Sequence, residues 1–310
     1  MKKRKDIKGI VFFFLLYLLL IGVMVSYDRS EEGRRMALNL QKGYKLYEDF
    51  VYSIKWELGY DKIEKKIAIH EYVGKEEEVV VPEEIEGLNV EIIQGKQNLE
   101  NGGFVGKVKK VILPRRLKEI GDYAFAGSEV EEIDIYSKCK IGNYAFANCS
   151  NLKEVKYWDS KGNTLEYSSW LGEGVFLNCI SLRQMDLLRG SGPVPDRCFE
   201  GCENLWAIEL KGHFQTIGKG AFRGCRSLRG IWLTSYIYRI EEGAFEGCTE
   251  LPAVFLPERL EYLEKDVFKE CISLTRVQIP KNFEVDMDAF TGCTSLKSIK
   301  YYKSKSVNPF

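Results

Sequence analysis

The chain has 310 residues, 45% of them hydrophobic, with 45 basic and 45 acidic side chains and a formal net charge of zero at pH 7. That is enough apolar material for a substantial core, while lysine and arginine alternate with glutamate and aspartate throughout, so the clustered positive charge that binds a phosphate backbone is missing and nucleic acid is disfavoured. The two histidines, His70 and His213, are far apart and outside any His-Glu-x-x-His spacing, which leaves catalysis, metal binding and cofactors without a candidate residue and both rings with solvated or capping roles.

Residues 1–8 are basic, with Lys2-Lys-Arg-Lys5 and Lys8 ahead of an uncharged run over residues 9–27. About 19 residues at a helical rise of about 1.5 Å approach the roughly 30 Å of a bilayer core. The run ends without the small residues of a signal-peptidase site, so it reads as an uncleaved transmembrane signal anchor in preference to a cleaved signal peptide. Its basic end stays in the cytoplasm and the remainder lies outside the cell. Secretion after cleavage is the alternative. Residues 28–48 are charged and mixed, as in a stalk or linker.

Residues 49–110 lead into a pattern that repeats over residues 111–301. Its phenylalanines are Phe125, Phe146, Phe176, Phe199, Phe222, Phe245, Phe268 and Phe290, and from Phe146 on a cysteine follows each by three residues. Cys179, Cys202, Cys225, Cys248 and Cys271 are 23 residues apart, and Cys293 follows after 22. A period in this range, with an apolar triplet such as Leu228/Ile231/Leu233 in each copy, makes each repeat one coil of a solenoid that buries its apolar face only by stacking on its neighbours. The last two residues of each triplet are two apart, so they share the inward face of a short strand. A second anchor (Ile120, Ile141, Leu171, Val194, Ile217, Ile240, Leu263 or Val285) starts the return side. A small residue precedes each phenylalanine, as expected where a ring fills the interior.

The repeated Ala-Phe-x-x-Cys-x-x-Leu, as in Ala221 to Leu228 and Ala289 to Leu296, resembles the BspA-like class of bacterial leucine-rich repeats. The resemblance covers roughly residues 49–301 and implies a mostly β solenoid with a parallel sheet and short turns or helical turns on the return side. It places opening strands at Ile67-Ala-Ile69, Tyr72-Val-Gly74 and Val79 to Ile85. Departures are local: Ser128 occupies the cysteine slot, the turn near Phe104 is degenerate, and residues 157–171 carry about seven extra residues.

Seven cysteines fall in one slot and stack as a column. Neighbouring turns about 4.8 Å apart keep parallel Cβ atoms beyond the roughly 3.8 Å that a disulfide prefers. The column therefore reads as buried thiols acting as small hydrophobes. Cys139 and Cys198 lie outside it and receive no role. Glu131, Glu132 and Asp134 make an acidic outward strand, read as a solvated face because no glycine-punctuated ligand loop accompanies it.

The outward strand positions are ordinary surface at both ends of the repeat array and aromatic at its centre. Trp232 and Phe255 fall on adjacent strands beside a column of small residues, Ala207, Gly230 and Ala253, with Trp206 and Pro252 across it and Arg183, Arg229 and Arg276 around it. Aromatic anchors inside a polar rim have the composition of a contact hot spot, which makes Trp206, Arg229, Trp232, Pro252, Phe255 and Arg276 the candidate site for a protein partner. The resemblance suggests adhesion or host contact. The alternatives are an envelope scaffold for other membrane proteins and a carbohydrate-binding surface that stacks sugars on Trp232 and Phe255. Residues 302–310 form a tail.

Overall fold

The computed structural model describes residues 44–58, 63–95, 102–104, 107–135, 139–158, 171–185, 191–210 and 212–302. The run expected to cross a membrane, residues 9–27, and most of the extra segment, residues 159–170, lie outside them. Among the described residues no helix is long and apolar enough to cross a membrane.

The described chain opens with β1 (Lys45–Tyr47), β2 (Phe50–Leu58) and β3 (Ile63–Tyr72) in antiparallel order. β1 is made from the last residues of the segment read as a stalk. Then come β4 (Glu78–Val80), β5 (Glu84–Ile85) and β6 (Leu88–Ile93). β6 pairs parallel with β3, which turns the opening hairpin into the first rung of the solenoid. From here front and back strands alternate: β7 (Lys110–Ile112), β8 (Glu119–Ile120), β9 (Glu132–Ile135), β10 (Lys140–Ile141) and β11 (Glu154–Tyr157). The alternation resumes with β12 (Gln184–Met185), β13 (Ser191–Val194), β14 (Ala207–Glu209), β15 (His213–Ile217), β16 (Gly230–Trp232) and β17 (Arg239–Ile240). It closes with β18 (Ala253–Phe255), β19 (Tyr262–Leu263) and the front strands β20 (Arg276–Pro280) and β21 (Ser298–Tyr302). Helix is confined, among the described residues, to one 3-10 turn at Met287–Phe290.

Each coil has three hydrogen-bonded sides. Front strands pair parallel with front strands, and back strands with back strands. The third side is the phenylalanine turn, where the amide of each Phe from Phe125 to Phe268 donates to the carbonyl of the small residue one rung on. Examples are Phe199 to Ala221 and Phe222 to Ala244, both at 2.8 Å. The rings from Phe125 to Phe290 stack nearly parallel at centroid separations between 5.1 and 5.5 Å, and all are buried. The stack continues through Phe104 to Tyr72 and Phe50 of the opening hairpin. The degenerate turn near Phe104 thus keeps its ring in the core, and the hairpin covers the first rung.

Two residues before and after most of the rings the backbone adopts a conformation that most side chains resist. Tyr144, Arg197 and Asp266 on one side, and Asn148, Asn178, Gly224 and Gly247 on the other, have φ between 55° and 72°. This explains the Gly-Cys and Asn-Cys pairs that recur in the sequence: the residue before the cysteine turns the chain in the left-handed region.

The repeat spacing predicts one front sheet, and the structure divides it into three ladders: β4 to β11, β12 to β16, and β18 to β21. The first break falls at the extra segment. The second has a single-residue cause. In neighbouring rungs the residue after the first leucine donates its amide to the rung before, as Arg229 does to Trp206 and Thr275 to Pro252, each at 3.0 Å. Pro252 has no amide hydrogen, so Arg229 receives no such bond and β16 and β18 do not pair. The back ladder β13 to β19 runs on past this point. Ile231 and Leu233 are only half-buried there, whereas the equivalent Ile208, Leu210, Val277 and Ile279 are fully buried. A seam opens in the front sheet beside Pro252. At the far end Tyr301, aligned with the buried Ile279, is 57% exposed because no described rung lies beyond it.

Candidate interaction surface

The register of the front strands fixes which side chains share the outer face. Gln184, Ala207 and Gly230 are aligned, as are Glu209 and Trp232 one pleat further along. Beyond the seam, Ala253, Arg276 and Ser298 align, followed by Phe255, Gln278 and Lys300. Alternation then places Trp232, Phe255 and Arg276 outward, while Trp206, Arg229 and Pro252 stand just ahead of β14, β16 and β18, where the chain enters the strand. Trp206 and Trp232 are 48% and 45% exposed, Pro252, Arg229 and Arg276 are exposed, and Phe255 is half-buried.

The small residues between them are half-buried, and one is covered. A methyl group at Gly230 would meet the Trp232 ring at 3.7 Å, so the far edge of the indole reaches back to the glycine. The seam passes between Trp232 and Phe255. Its floor is the half-buried pair Ile231 and Leu233. Arg229 reaches sideways to Glu250, Nε to Oε2 2.7 Å, whereas Arg276 has no acidic partner among the described residues.

The other sequence candidates have structural duties. The nine cysteines form no disulfide. The column cysteines act as donors as well as fillers: each thiol donates to the carbonyl of a phenylalanine in the preceding rung, Cys179 to Phe146 and Cys202 to Phe176 at 3.1 Å, Cys248 to Phe222 at 3.3 Å. Ser128 sits 3.4 Å from Cys149 Sγ, which suits a slot that needs a small hydrogen-bonding group. Cys198 fills the small-residue slot before Phe199, and Cys139 is buried ahead of β10. Burial pushes the Cys149 thiol up to about 11, away from the reactive range.

His70 is a correction: it is buried, not solvated. Ser53 bonds its Nε2 at 2.7 Å and Tyr44 stacks on the ring at 4.2 Å. His213 packs edge-on against Tyr236 at 4.3 Å. The acidic strand is balanced by its neighbours. Lys153 bonds Glu131 and holds its carboxyl below the ordinary range, Lys156 lies 3.7 Å from Glu132, and Trp158 donates to Asp134. Among the described residues no group of three or more His, Cys, Asp or Glu side chains could hold a metal ion.

The model of the BspA type leucine-rich repeat region matches residues 86–189 and 169–297 in six copies. The chain belongs to the BspA type leucine-rich repeat family. Comparison with curated proteins finds no match. Among solved structures, a leucine-rich cell surface protein from Faecalibacterium prausnitzii is 20% identical, with 85% of this chain and 95% of that one covered and a TM-score of 0.31. A leucine-rich repeat protein from Bacteroides ovatus is 19% identical over 83% and 100% of the two chains, with a TM-score of 0.40. The pneumococcal vaccine antigen PcpA is 18% identical over 85% and 88%, with a TM-score of 0.35. Solenoids of this kind present extended surfaces for contact with other proteins.

Proposed function

We propose that this leucine-rich repeat chain binds a protein partner through its front strand face, centred on Trp206, Trp232 and Phe255. The observation that carries the reading is the exposure of Trp232 on β16, beside a seam whose floor is apolar, and of Trp206 just ahead of the neighbouring β14. On the front face before the extra segment the outward positions are mostly charged and paired. Large rings that remain half exposed around a desolvated centre are where interfaces concentrate their binding free energy. The apolar run 9–27 and its basic flank support a signal anchor that displays the repeats outside the cell, in a role of adhesion or host contact.

The test is a crosslinking pull-down with the full chain against host extracts and against its own membrane fraction, with Trp232→Ala/Phe255→Ala alongside. The double substitution should weaken capture by more than about 2 kcal/mol and leave folding intact. Capture at full strength by the double variant would move the site away from this face. Stable capture from the membrane fraction alone would favour an envelope scaffold. A carbohydrate reading draws on the exposed Trp232 ring beside Gly230, and a glycan array addresses it.

A further inference from the structure

The charge on this solenoid is mostly cancelled from rung to rung. Lys109 pairs with Glu77, Lys110 with Glu78, Lys153 with Glu131 and Lys156 with Glu132 along the front face before the extra segment. After it the pattern changes. Arg183, Arg276, Lys297 and Lys300 are exposed at outward front positions, and none has an acidic partner among the described residues. Glu209 is the only carboxylate among the described residues at those positions. Among the described residues, half of one face of a chain with zero net charge therefore carries positive side chains without acidic partners, around the exposed tryptophans and the seam.

We propose that this half of the front face, from Arg183 to Lys300, takes an acidic polypeptide segment that lies across the Ala207, Gly230 and Ala253 column and seats an apolar side chain on the seam. The inference rests on the strand-face reading above and adds the chemistry of the partner. Arginines without an acidic partner among the described residues can bind carboxylates without breaking one of the described ion pairs, and their planar forks suit that geometry. Opposite charge also steers the encounter. An apolar side chain over Ile231 and Leu233 would remove from water the surface that the missing Pro252 amide leaves open. A neutral glycan could stack on Trp232 but would leave Arg183 and Arg276 without a counterpart.

The experiment uses the full chain in mild detergent and three labelled probes: a glutamate–tyrosine copolymer, a lysine–tyrosine copolymer and dextran, followed by fluorescence anisotropy. The acidic copolymer should bind, and weaken about tenfold or more in Arg183→Glu/Arg276→Glu and on raising salt from about 50 to about 300 mM. The basic copolymer and dextran should not bind. Equal binding of both copolymers, preference for dextran, no binding of the acidic copolymer, or indifference to charge reversal overturns the proposal. If the charge-reversed chain still captures the natural partner while Trp232→Ala/Phe255→Ala does not, the strand-face reading stands and the acidic-partner inference alone falls. Thermal melts of both variants confirm folding, since all four side chains face outward.

Discussion

The thiol of Cys225 donates to the carbonyl oxygen of Phe199, 26 residues earlier and one rung back, at 3.2 Å. The same oxygen accepts the amide of Cys202 at 3.1 Å, so one carbonyl ties its own turn and the next rung together. Replacing Cys225 by Ala should destabilise the fold by about 1–2 kcal/mol, the worth of a buried hydrogen bond plus a small void. Phe222→Ala should cost about 3–5 kcal/mol, because a ring leaves a close-packed stack. Denaturant melts of the two variants measure both, and losses below about 1 kcal/mol at each would mean that the column is not tightly packed.

Backbone geometry supplies a second test. Gly247, at φ 72°, would clash with nothing on gaining a methyl group, since its nearest neighbours are the Gly224 backbone atoms at 3.8 Å. Gly247→Ala therefore isolates the cost of the left-handed conformation, about 1 kcal/mol. Glu270 holds the equivalent place at φ 58°, where Asn148 and Asn178 serve in other rungs. Glu270→Asn should raise stability by about 0.5 kcal/mol, as asparagine tolerates this region better. Opposite signs in the two melting shifts are the expected result.

Pro252→Thr tests the seam. Thr275 occupies the same place one rung later and donates its amide normally. The new amide at position 252 should reach the Arg229 carbonyl and join the two front ladders. Hydrogen exchange across residues 229–233 and 252–256 should then slow relative to the wild type, with the back strands unchanged. Unaltered exchange would show that side chains, not the missing amide, hold the seam open.

Titration gives the fourth prediction. Burial raises the thiols of Cys149, Cys179, Cys198 and Cys225 above their ordinary value of 9.0. A group raised on folding contributes stability that is complete below its unfolded pKa and lost as pH rises, so stability should hold up to about pH 9 and fall beyond it. On the acid side Glu131 is held below 4.5 by Lys153, and Glu242 by Lys219 and Lys265. Their contribution is present above that value and is lost as pH falls below it, modestly because these groups are exposed. Cys293 stands apart: it is half-buried, whereas the other column cysteines are buried. Iodoacetamide should modify Cys293 first, which peptide mapping would show.

Much of this could be read before the coordinates because the repeats make the same statement many times. The phenylalanine and cysteine columns follow from spacing alone, and the outward placement of Trp232 and Phe255 follows from strand alternation. What escaped depends on single residues or on side-chain conformation. Pro252 was visible as an outward residue, but its effect lies in an amide that other rungs use. The Gly or Asn before each cysteine was a legible signal for a left-handed turn, and Glu270 obscures it. His70 belongs to the non-repeating hairpin, where Tyr44 and Ser53 cover it, and no period announces such a pairing. That Trp232 folds back onto Gly230 is a rotamer choice, beyond the reach of spacing.

The ion pairs along the phenylalanine turn alternate in sign: Glu200, Arg223, Glu246 and Lys269 form one row, with Arg223 Nε 2.9 Å and Lys269 Nζ 3.2 Å from Glu246. Beside it run Asp196, Lys219, Glu242 and Lys265, in which Glu242 is bound from both sides at 2.7 and 3.2 Å. Shape repeats with every coil, but charge repeats with every second one. Loss of residues 224–246 by unequal recombination would set Arg223 against Lys269 and Lys219 against Lys265, whereas loss of two coils would keep unlike charges facing. Gene duplication can therefore lengthen or shorten this part of the array most smoothly by coils in pairs.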